Sequence, residues 1–267
     1  MLDGKRITVV LPAYEAVRTL ALVASELAHV SVVDDVVLVD DASPDGTAEL
    51  AESLGLHTVR HEKNGGYGAN QKTCYREALE RGADVVVMLH PDHQYSTKLV
   101  TSMAAMIASD EYDIVLASRI TAQHNAISGG MPRYKFVANR ILTAIENVLL
   151  ELKMSEYHSG YRAFSRRLLA SLPLELNSND FVFDNQIIAQ ARWAGFRIGE
   201  ISCPTRYDED SHSIGLKRAM TYGWGVLATA GRYRMATWGW WVPAYLARIG
   251  ARAGMAAPTA PSSALGE

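Results

Sequence analysis

The sequence predicts an α/β domain with a mostly parallel central sheet and helices on both faces. Three observations predict it. Short apolar, β-branched runs alternate with segments of helical spacing through the first half of the chain. The runs read as strands buried on both sides, as parallel strands are. Polar clusters follow three of them directly: Pro12-Ala13-Tyr14-Glu15, Asp40-Asp41 and His90-Pro91-Asp92. In such sheets ligands bind beyond the carboxyl ends of the strands, so these clusters are expected to converge on one edge.

Taken in order, Ile7–Leu11 is the first strand and stops at Pro12. Residues 16–31 carry Val17, Leu20, Val23, Ala24 and Leu27 at helical spacing. Val36–Val39 is the second strand, Thr47–Leu54 a helix, and His57–Arg60 a short strand before a Gly-rich loop at 64–68. Ala69–Arg81 is helical, and Gly82 suits its C-terminal end. Asp84–Leu89 is a third strong strand, followed by a helix at 97–109 and a strand at 113–117. The second half is less regular. Residues 119–133 read as a mobile loop, 134–152 as a long helix, 159–164 as a short strand, 181–194 as a helix, 197–202 as a strand and 213–235 as a helix. We divide the chain into a domain at 1–235, an aromatic C-terminal helix or interface segment at 236–250, and a tail at 251–267, rich in Ala, Pro, Ser and Gly, that is expected to be disordered.

The bulk numbers narrow the function classes. A chain of 267 residues with 48% hydrophobic and 21% charged residues is an ordinary globular profile. Its net charge of −3 lacks the basic footprint of a nucleic-acid binder. The two cysteines, Cys74 and Cys203, have no metal-ligand spacing and read as small buried apolar residues of a reduced protein. No signal peptide and no run of 18 apolar residues is seen, so a cytoplasmic protein is expected.

Three constellations carry chemistry. Asp40-Asp41 places adjacent carboxylates at a strand end, where they could accept hydrogen bonds from ribose hydroxyls or a base N–H; Asp45-Gly46-Thr47 beyond them suits a turn and a helix cap. Asn64-Gly65-Gly66-Tyr67-Gly68-Ala69-Asn70 allows close backbone approach, and the helix after it offers N–H groups to an anion. It is neither a P-loop nor a first-strand dinucleotide fingerprint. In His90-Pro91-Asp92-His93-Gln94-Tyr95, Asp92 and Gln94 supply oxygens suited to a hard divalent cation, and an imidazole from His90 would favour manganese over magnesium.

In their order and spacing these stretches, with Ser118-Arg119 and Ser159-Gly160-Tyr161-Arg162, resemble family 2 glycosyltransferases of the GT-A fold, and in particular the dolichol- and polyprenyl-phosphate sugar synthases. The resemblance spans roughly residues 6–230. It implies a nucleotide-diphospho-sugar transferase. Pro12, Tyr14 and Glu15 would line the base and ribose pocket, with Asp40 and Asp41 also on the nucleoside and Gly66 and Gly68 near the donor. Asp92 and Gln94, with or without His90, would hold Mn²⁺ or Mg²⁺ on the donor diphosphate. Arg119 and Arg162 would contact phosphate or acceptor, a task that suits guanidinium geometry.

The sequence departs from that family pattern in two places. His90-Pro91-Asp92 replaces the usual Asp-X-Asp, and Asp208-Glu209-Asp210-Ser211-His212-Ser213 is acidic where the lipid-phosphate synthases often carry Ser-Lys. The expected reaction is a single inverting displacement, with a UDP-sugar as the default donor and a GDP-sugar as the alternative. A polyprenyl phosphate acceptor needs no general base. A hydroxyl-bearing small molecule would need one, and Asp180 or Asp184, on one helix face if both are helical, are the acids considered. A non-catalytic nucleotide-sugar binder is the rival from another class. Trp238, Trp240, Trp241 and Tyr245, with flanking Arg residues, either meet a lipid surface through residues 235–249 or pack on the domain or a partner subunit, so peripheral membrane contact and a homo-oligomer both stay open.

Overall fold

The computed structural model describes residues 1–121, 127, 130–204 and 216–253. The acidic stretch 208–213, most of the loop between 121 and 130, and the tail from 254 lie outside the described residues.

Seven strands form one sheet: β1 (Ile7–Ala13), β2 (Asp35–Asp40), β3 (His57–Arg60), β4 (Val85–Met88), β5 (Ile114–Ser118), β6 (Arg162–Ser165) and β7 (Ile198–Ser202), in the spatial order β3-β2-β1-β4-β6-β5-β7. β1, β2, β3 and β4 run parallel, and β7 runs parallel to β5. β6 lies antiparallel between β4 and β5. The α-helices are α1 (Val17–Ala28), α2 (Thr47–Ser53), α3 (Tyr67–Glu80), α4 (Leu99–Ala108), α5 (Arg133–Leu150), α6 (Arg166–Ser171), α7 (Phe183–Trp193), α8 (Leu216–Thr237) and α9 (Ala244–Ala253).

Alternation along the strands divides the core into two layers. Val9, Leu11, Leu38, Val85 and Val87 pack under α1, α2 and α4. Val10, Val37, Val39, Val86 and Met88 pack under α3 and the helices from α5 onward. Each fully buried Val or Leu of this kind stabilises the fold by about 1.5–3 kcal/mol. Cys74 and Cys203 are free thiols within these layers, and burial raises both pKa values, that of Cys203 to about 12.

The sheet opens where the ligand rule expects. β1 pairs with β2 as far as Ala13 opposite Asp40, but with β4 only as far as Val10 opposite Met88. Pro12, which has no N–H to give, sits beyond the last β1–β4 rung. The chain also reverses its direction of winding at β1, which has β2 on one side and β4 on the other. That is the switch point of an open α/β sheet.

Several predicted bounds shift. β1 runs two residues past the predicted end, because its pairing with β2 continues through Pro12 and Ala13. The predicted strand 159–164 is β6 at Arg162–Ser165, and α8 ends at Thr237. Helix α6 and a 3₁₀ turn at Leu174–Leu176 are additions; Ser165 starts α6 by accepting the Leu168 N–H.

Candidate active site

The carboxyl ends of β1, β2, β4 and β5 and the start of antiparallel β6 bring Tyr14, Asp40, His90, Arg119 and Arg162 to one edge. Three non-glycine residues near it adopt left-handed backbone: Glu15 (φ 52°), Ala42 (φ 59°) and His93 (φ 57°). Such conformations cost roughly 1–2 kcal/mol each and cluster at functional sites. Tyr14 and Glu15 are exposed, and the Glu15 carboxylate beside the Tyr14 hydroxyl raises its pKa.

The two aspartates after β2 do different work. Asp41 accepts from Gly65 N at 2.8 Å, from Gly66 N at 2.9 Å, and makes a 2.7 Å contact with His61 Nδ1. It therefore builds the Gly-rich loop, with Oδ1 taking two of these contacts and Oδ2 one. Asp40 is fully buried; its Oδ2 accepts from Ser43 N at 3.1 Å, while Oδ1 has no hydrogen-bond partner. That oxygen lacks a partner inside the protein but is closed to solvent, so a ligand N–H or O–H would reach it only where the edge opens. Asp45 caps the turn, accepting from Thr47 N and Oγ and from Val17 N. Burial would raise its pKa, but these bonds outweigh it and hold the carboxyl below its ordinary value.

The Gly-rich loop is likewise occupied. Gly68 N donates to Asn179 O at 2.8 Å, and a Cβ on Gly68 would lie 2.4 Å from Ser178 O. Gly66 has φ 95°, and a Cβ there would lie 2.6 Å from Asn179 O. Both glycines serve close packing of the 178–179 backbone on α3, so the expected anion cradle at this helix start is already filled by protein.

Asp184, at the start of α7, sits beneath the edge and is 6% exposed. Its Oδ2 accepts from Tyr67 Oη at 2.9 Å, its Oδ1 from Gln71 Nε2 at 3.0 Å, and Arg162 Nη2 lies 3.5 Å away. Asp180 is exposed, precedes α7, and accepts from Phe181 N at 2.8 Å. The two acids therefore do not share a helix face. Tyr67 joins the parts: its hydroxyl is 3.2 Å from His90 Nε2, and its ring packs on those of His90 and Phe181.

Both arginines expected to meet phosphate are engaged inside the protein. Arg162 is fully buried and donates to the carbonyls of Ser159, Asp184 and Tyr157 at 2.8–2.9 Å. The Arg119 guanidinium pairs with Glu156 and also donates to His158 O. Burial pushes the Glu156 pKa up, but the Arg119 charge and hydrogen bonds from Arg119 and Asn139 outweigh it and keep the carboxylate ionised. These arginines position the walls of the site.

At the end of β4, Asp92 is exposed, and Gln94 N donates to its Oδ1 at 3.1 Å within the same turn. His90 Nε2 faces Tyr67 and the Gly160 backbone, where a Cβ would lie 2.4 Å away, so only Nδ1 could turn to a metal. No group of three or more His, Cys, Asp or Glu side chains among the described residues could cage an ion. Asp92 thus fits the kind of site in which one or two carboxylates share a hard cation with substrate phosphates and water. A surface groove beside the amino ends of β2 and β3 lies away from this edge and carries none of these groups.

The residues missed from sequence are those that join the parts. Tyr67 lies inside the Gly-rich motif and Phe181 next to Asp180, neither with an assigned role, whereas Glu146, Glu156 and His158 stand alone in sequence, with no local pattern to mark them.

A switch-point edge with an exposed carboxylate beyond β4 and an unpartnered carboxylate oxygen at the end of β2 is where an α/β enzyme of this topology takes a polar ligand. Residues 8–172 match the model of the glycosyl transferase family 2. The chain belongs to that family and is a glycosyltransferase. It is 27% identical over 228 residues to the UDP-N-acetylglucosamine–dolichyl-phosphate N-acetylglucosaminyltransferase of Methanococcus voltae, covering 79% of this chain and 90% of that one. It is 24% identical to the polyprenol monophosphomannose synthase of Mycolicibacterium smegmatis over 74% of this chain and 76% of that one. Among solved structures it is similar to glucosyl-3-phosphoglycerate synthase from Mycobacterium tuberculosis in complex with Mn²⁺, UDP and glucosyl-3-phosphoglycerate (TM-score 0.66, 20% identity, 90% and 81% covered). It is also similar to mannosyl-3-phosphoglycerate synthase from Rubrobacter xylanophilus (TM-score 0.69, 16% identity, 90% and 77% covered). The fold is the GT-A fold expected from the resemblance.

Proposed function

We propose that this enzyme transfers a sugar from a UDP-sugar to a polyprenyl phosphate by a single inverting displacement, at the cytoplasmic surface of a membrane. The observation that carries the acceptor reading is the saturation of Asp184: both its oxygens are held by Tyr67 and Gln71, with Arg162 beside them. A carboxylate held in that way is a poor general base, so the acceptor is one that arrives already ionised. A phosphate monoester is such a nucleophile. The lipid-phosphate transferases among the relatives support the same reading.

In this reading Pro12, Tyr14 and Glu15 line the base and ribose pocket, and Asp40 Oδ1 accepts from the nucleoside. Asp92, with Gln94 beside it, holds a divalent cation, Mn²⁺ by analogy with the solved synthase and otherwise Mg²⁺. The cation, when bound, neutralises charge on the leaving nucleoside diphosphate. Asp41, through the Gly-rich loop, and Arg162, through the Asp184 backbone, fix the two walls so that donor and acceptor meet in line.

The test is transfer of labelled sugar from UDP-GlcNAc, UDP-glucose or GDP-mannose to a short-chain polyprenyl phosphate, with Mn²⁺, Mg²⁺ or EDTA. The expected result is a UDP-sugar-dependent, EDTA-sensitive glycolipid product. Asp92→Ala is expected to lower turnover by about 100-fold or more, the scale of losing a metal-held charge stabiliser. Unchanged turnover in Asp92→Ala would remove the metal role. Transfer to phosphoglycerate or a plain alcohol, sensitive to Asp184→Asn, would favour the hydroxyl-acceptor reading instead. Binding of donor with no transfer to any acceptor would make the chain a nucleotide-sugar-binding protein.

A further inference from the structure

Helix α5 is built inside out. Its buried side carries Asn139, Thr143 and Glu146, which face the polar groups behind the active site. Its solvent side carries Tyr134, Val137, Ile141, Ile145 and Val148 at spacings of three and four, each 38–71% exposed. In a helix that meets only water on its outer side the apolar stripe turns inward. α8 packs alongside α5, with Leu142 against Gly223, and adds exposed Met220 and Trp224 one turn apart. Contiguous apolar surface of this kind marks a surface that is covered in use.

We propose that the outward faces of α5 and α8 form a docking surface for an anionic lipid bilayer. Charge selects this occupant. The chain has a net charge of −3, yet α8 carries no acidic residue and four basic ones, Lys217, Arg218, Arg232 and Arg234, the last paired with Glu151. On α5, Arg133 and Arg140 are exposed beside the apolar stripe, and the helix's one acid, Glu146, is buried. An apolar stripe flanked by guanidinium groups and tryptophan is what binds the headgroup–acyl boundary of a negatively charged leaflet. A second copy is disfavoured by the same charges, because a two-fold interface through this face would set the basic residues against each other. The surface also leads to the site: the Arg218 guanidinium lies 5.9 Å from the Phe181 ring, which packs on Tyr67. A bilayer on this face would thus present a lipid-borne phosphate beside the crevice. The inference rests on the lipid-phosphate reading for its purpose, but on the helix faces and charges for its existence.

The experiment is co-sedimentation of the full chain with vesicles of mixed phosphatidylglycerol and phosphatidylcholine, and with phosphatidylcholine alone, while UDP binding is followed by calorimetry on the same samples. The protein is expected to sediment with the anionic vesicles and to stay in solution with the neutral ones. The double variant Ile141→Glu/Val148→Glu, at exposed positions, is expected to lower the partition about tenfold or more. Arg232→Glu should lower it by about 25-fold, since the reversal removes two units of charge and each near such a surface counts for about fivefold. Both should keep wild-type melting and UDP affinity; if the double variant fails to fold, Arg232→Glu and the lipid-charge comparison still decide. Equal partition into both vesicle types, or variants that partition like wild type, would overturn the proposal. So would an absence of vesicle binding with a dimer in solution that the double variant dissociates. Loss of vesicle binding with UDP binding intact counts against the docking surface alone, whereas vesicle binding without nucleotide-sugar binding counts against the transferase reading alone.

Discussion

Glu146 Oε2 and His158 Nε2 face each other at 3.3 Å behind α7, and neither atom has another hydrogen-bond partner. Burial pushes the Glu146 pKa up to about 8, against an opposing hydrogen bond from Asn185 and the Arg162 charge. Burial pushes His158 down to about 4, against the Glu156 charge. Both are therefore uncharged near neutrality, and a proton on Glu146 satisfies both orphaned atoms at once. Because the native state holds the Glu146 proton more tightly than the unfolded chain, its contribution to stability is full below about pH 4.5 and is lost as the pH rises toward about 8. Glu146→Gln should remove that decline, so that wild type loses on the order of a few kcal/mol relative to the variant between pH 5 and 9, as read by denaturant melts. His158 acts in the opposite sense: its stabilising contribution is full above about 6.5 and is lost as the pH falls toward about 4. A second prediction concerns Asp41. Asp41→Ala leaves the N–H groups of Gly65 and Gly66 without their acceptor, so it should cost about 1–3 kcal/mol of stability and weaken UDP binding in calorimetry. At this scale the sequence places Asp40-Asp41 at the edge, as found, but gives no sign that Asp41, Arg119 and Arg162 are engaged within the protein. Their partners, such as Glu156 for Arg119, come from elements that meet only in three dimensions.

Among the elements, α3 and the 178–179 segment depend on each other through glycine. Gly68→Ala would drive its methyl to 2.4 Å from the Ser178 carbonyl oxygen, a backbone atom that cannot rotate away. We expect it to lower stability by about 1–3 kcal/mol, in the range of overpacking, and to raise the apparent Kd for UDP. Gly82→Ala, in open space at φ 85°, is the control: it should show only the backbone strain of its conformation, about 1–2 kcal/mol, with UDP affinity unchanged. The strands β1, β2 and β4 and the helices between them are legible because apolar period and turn chemistry agree there. The direction of β6 is not legible, since a four-residue strand carries no sign of whether its neighbours run with it. Nor is the orientation of α5, whose apolar residues have helical period but point outward. Periodicity reports that one side is apolar and leaves open which side meets the core.

For the molecule as a whole, the C-terminal aromatics divide between two tasks. Tyr245, with Leu246 and Ile249 of α9, is buried against α6 and α7, and Gln190 Nε2 donates to Tyr245 O at 3.1 Å. Trp238, Trp240 and Trp241 stay 52–74% exposed. Of the alternatives set by the sequence, a lipid surface or packing on the domain or a partner subunit, Tyr245 takes packing on the domain, while the three tryptophans do not. Ending the chain after Gly239 would uncover the buried three, each worth about 1.5–3 kcal/mol, a sum comparable with the whole stability of a domain. The truncated protein should be insoluble or melt well below the full chain in calorimetry. No described helix is long and apolar enough to cross a membrane, and the lipid contact proposed above does not require one. The out-of-order seat of β6 bears also on how the chain is made. β4 pairs with β1 on one side, but its other edge waits for Arg162–Ser165, which leave the ribosome more than seventy residues later. At roughly 5–20 residues per second that wait lasts several seconds, during which Val85–Met88 presents an unpaired apolar edge on the nascent chain. Slow translation through α5 would lengthen the interval, making this stretch the point in synthesis where a holdase chaperone is most needed.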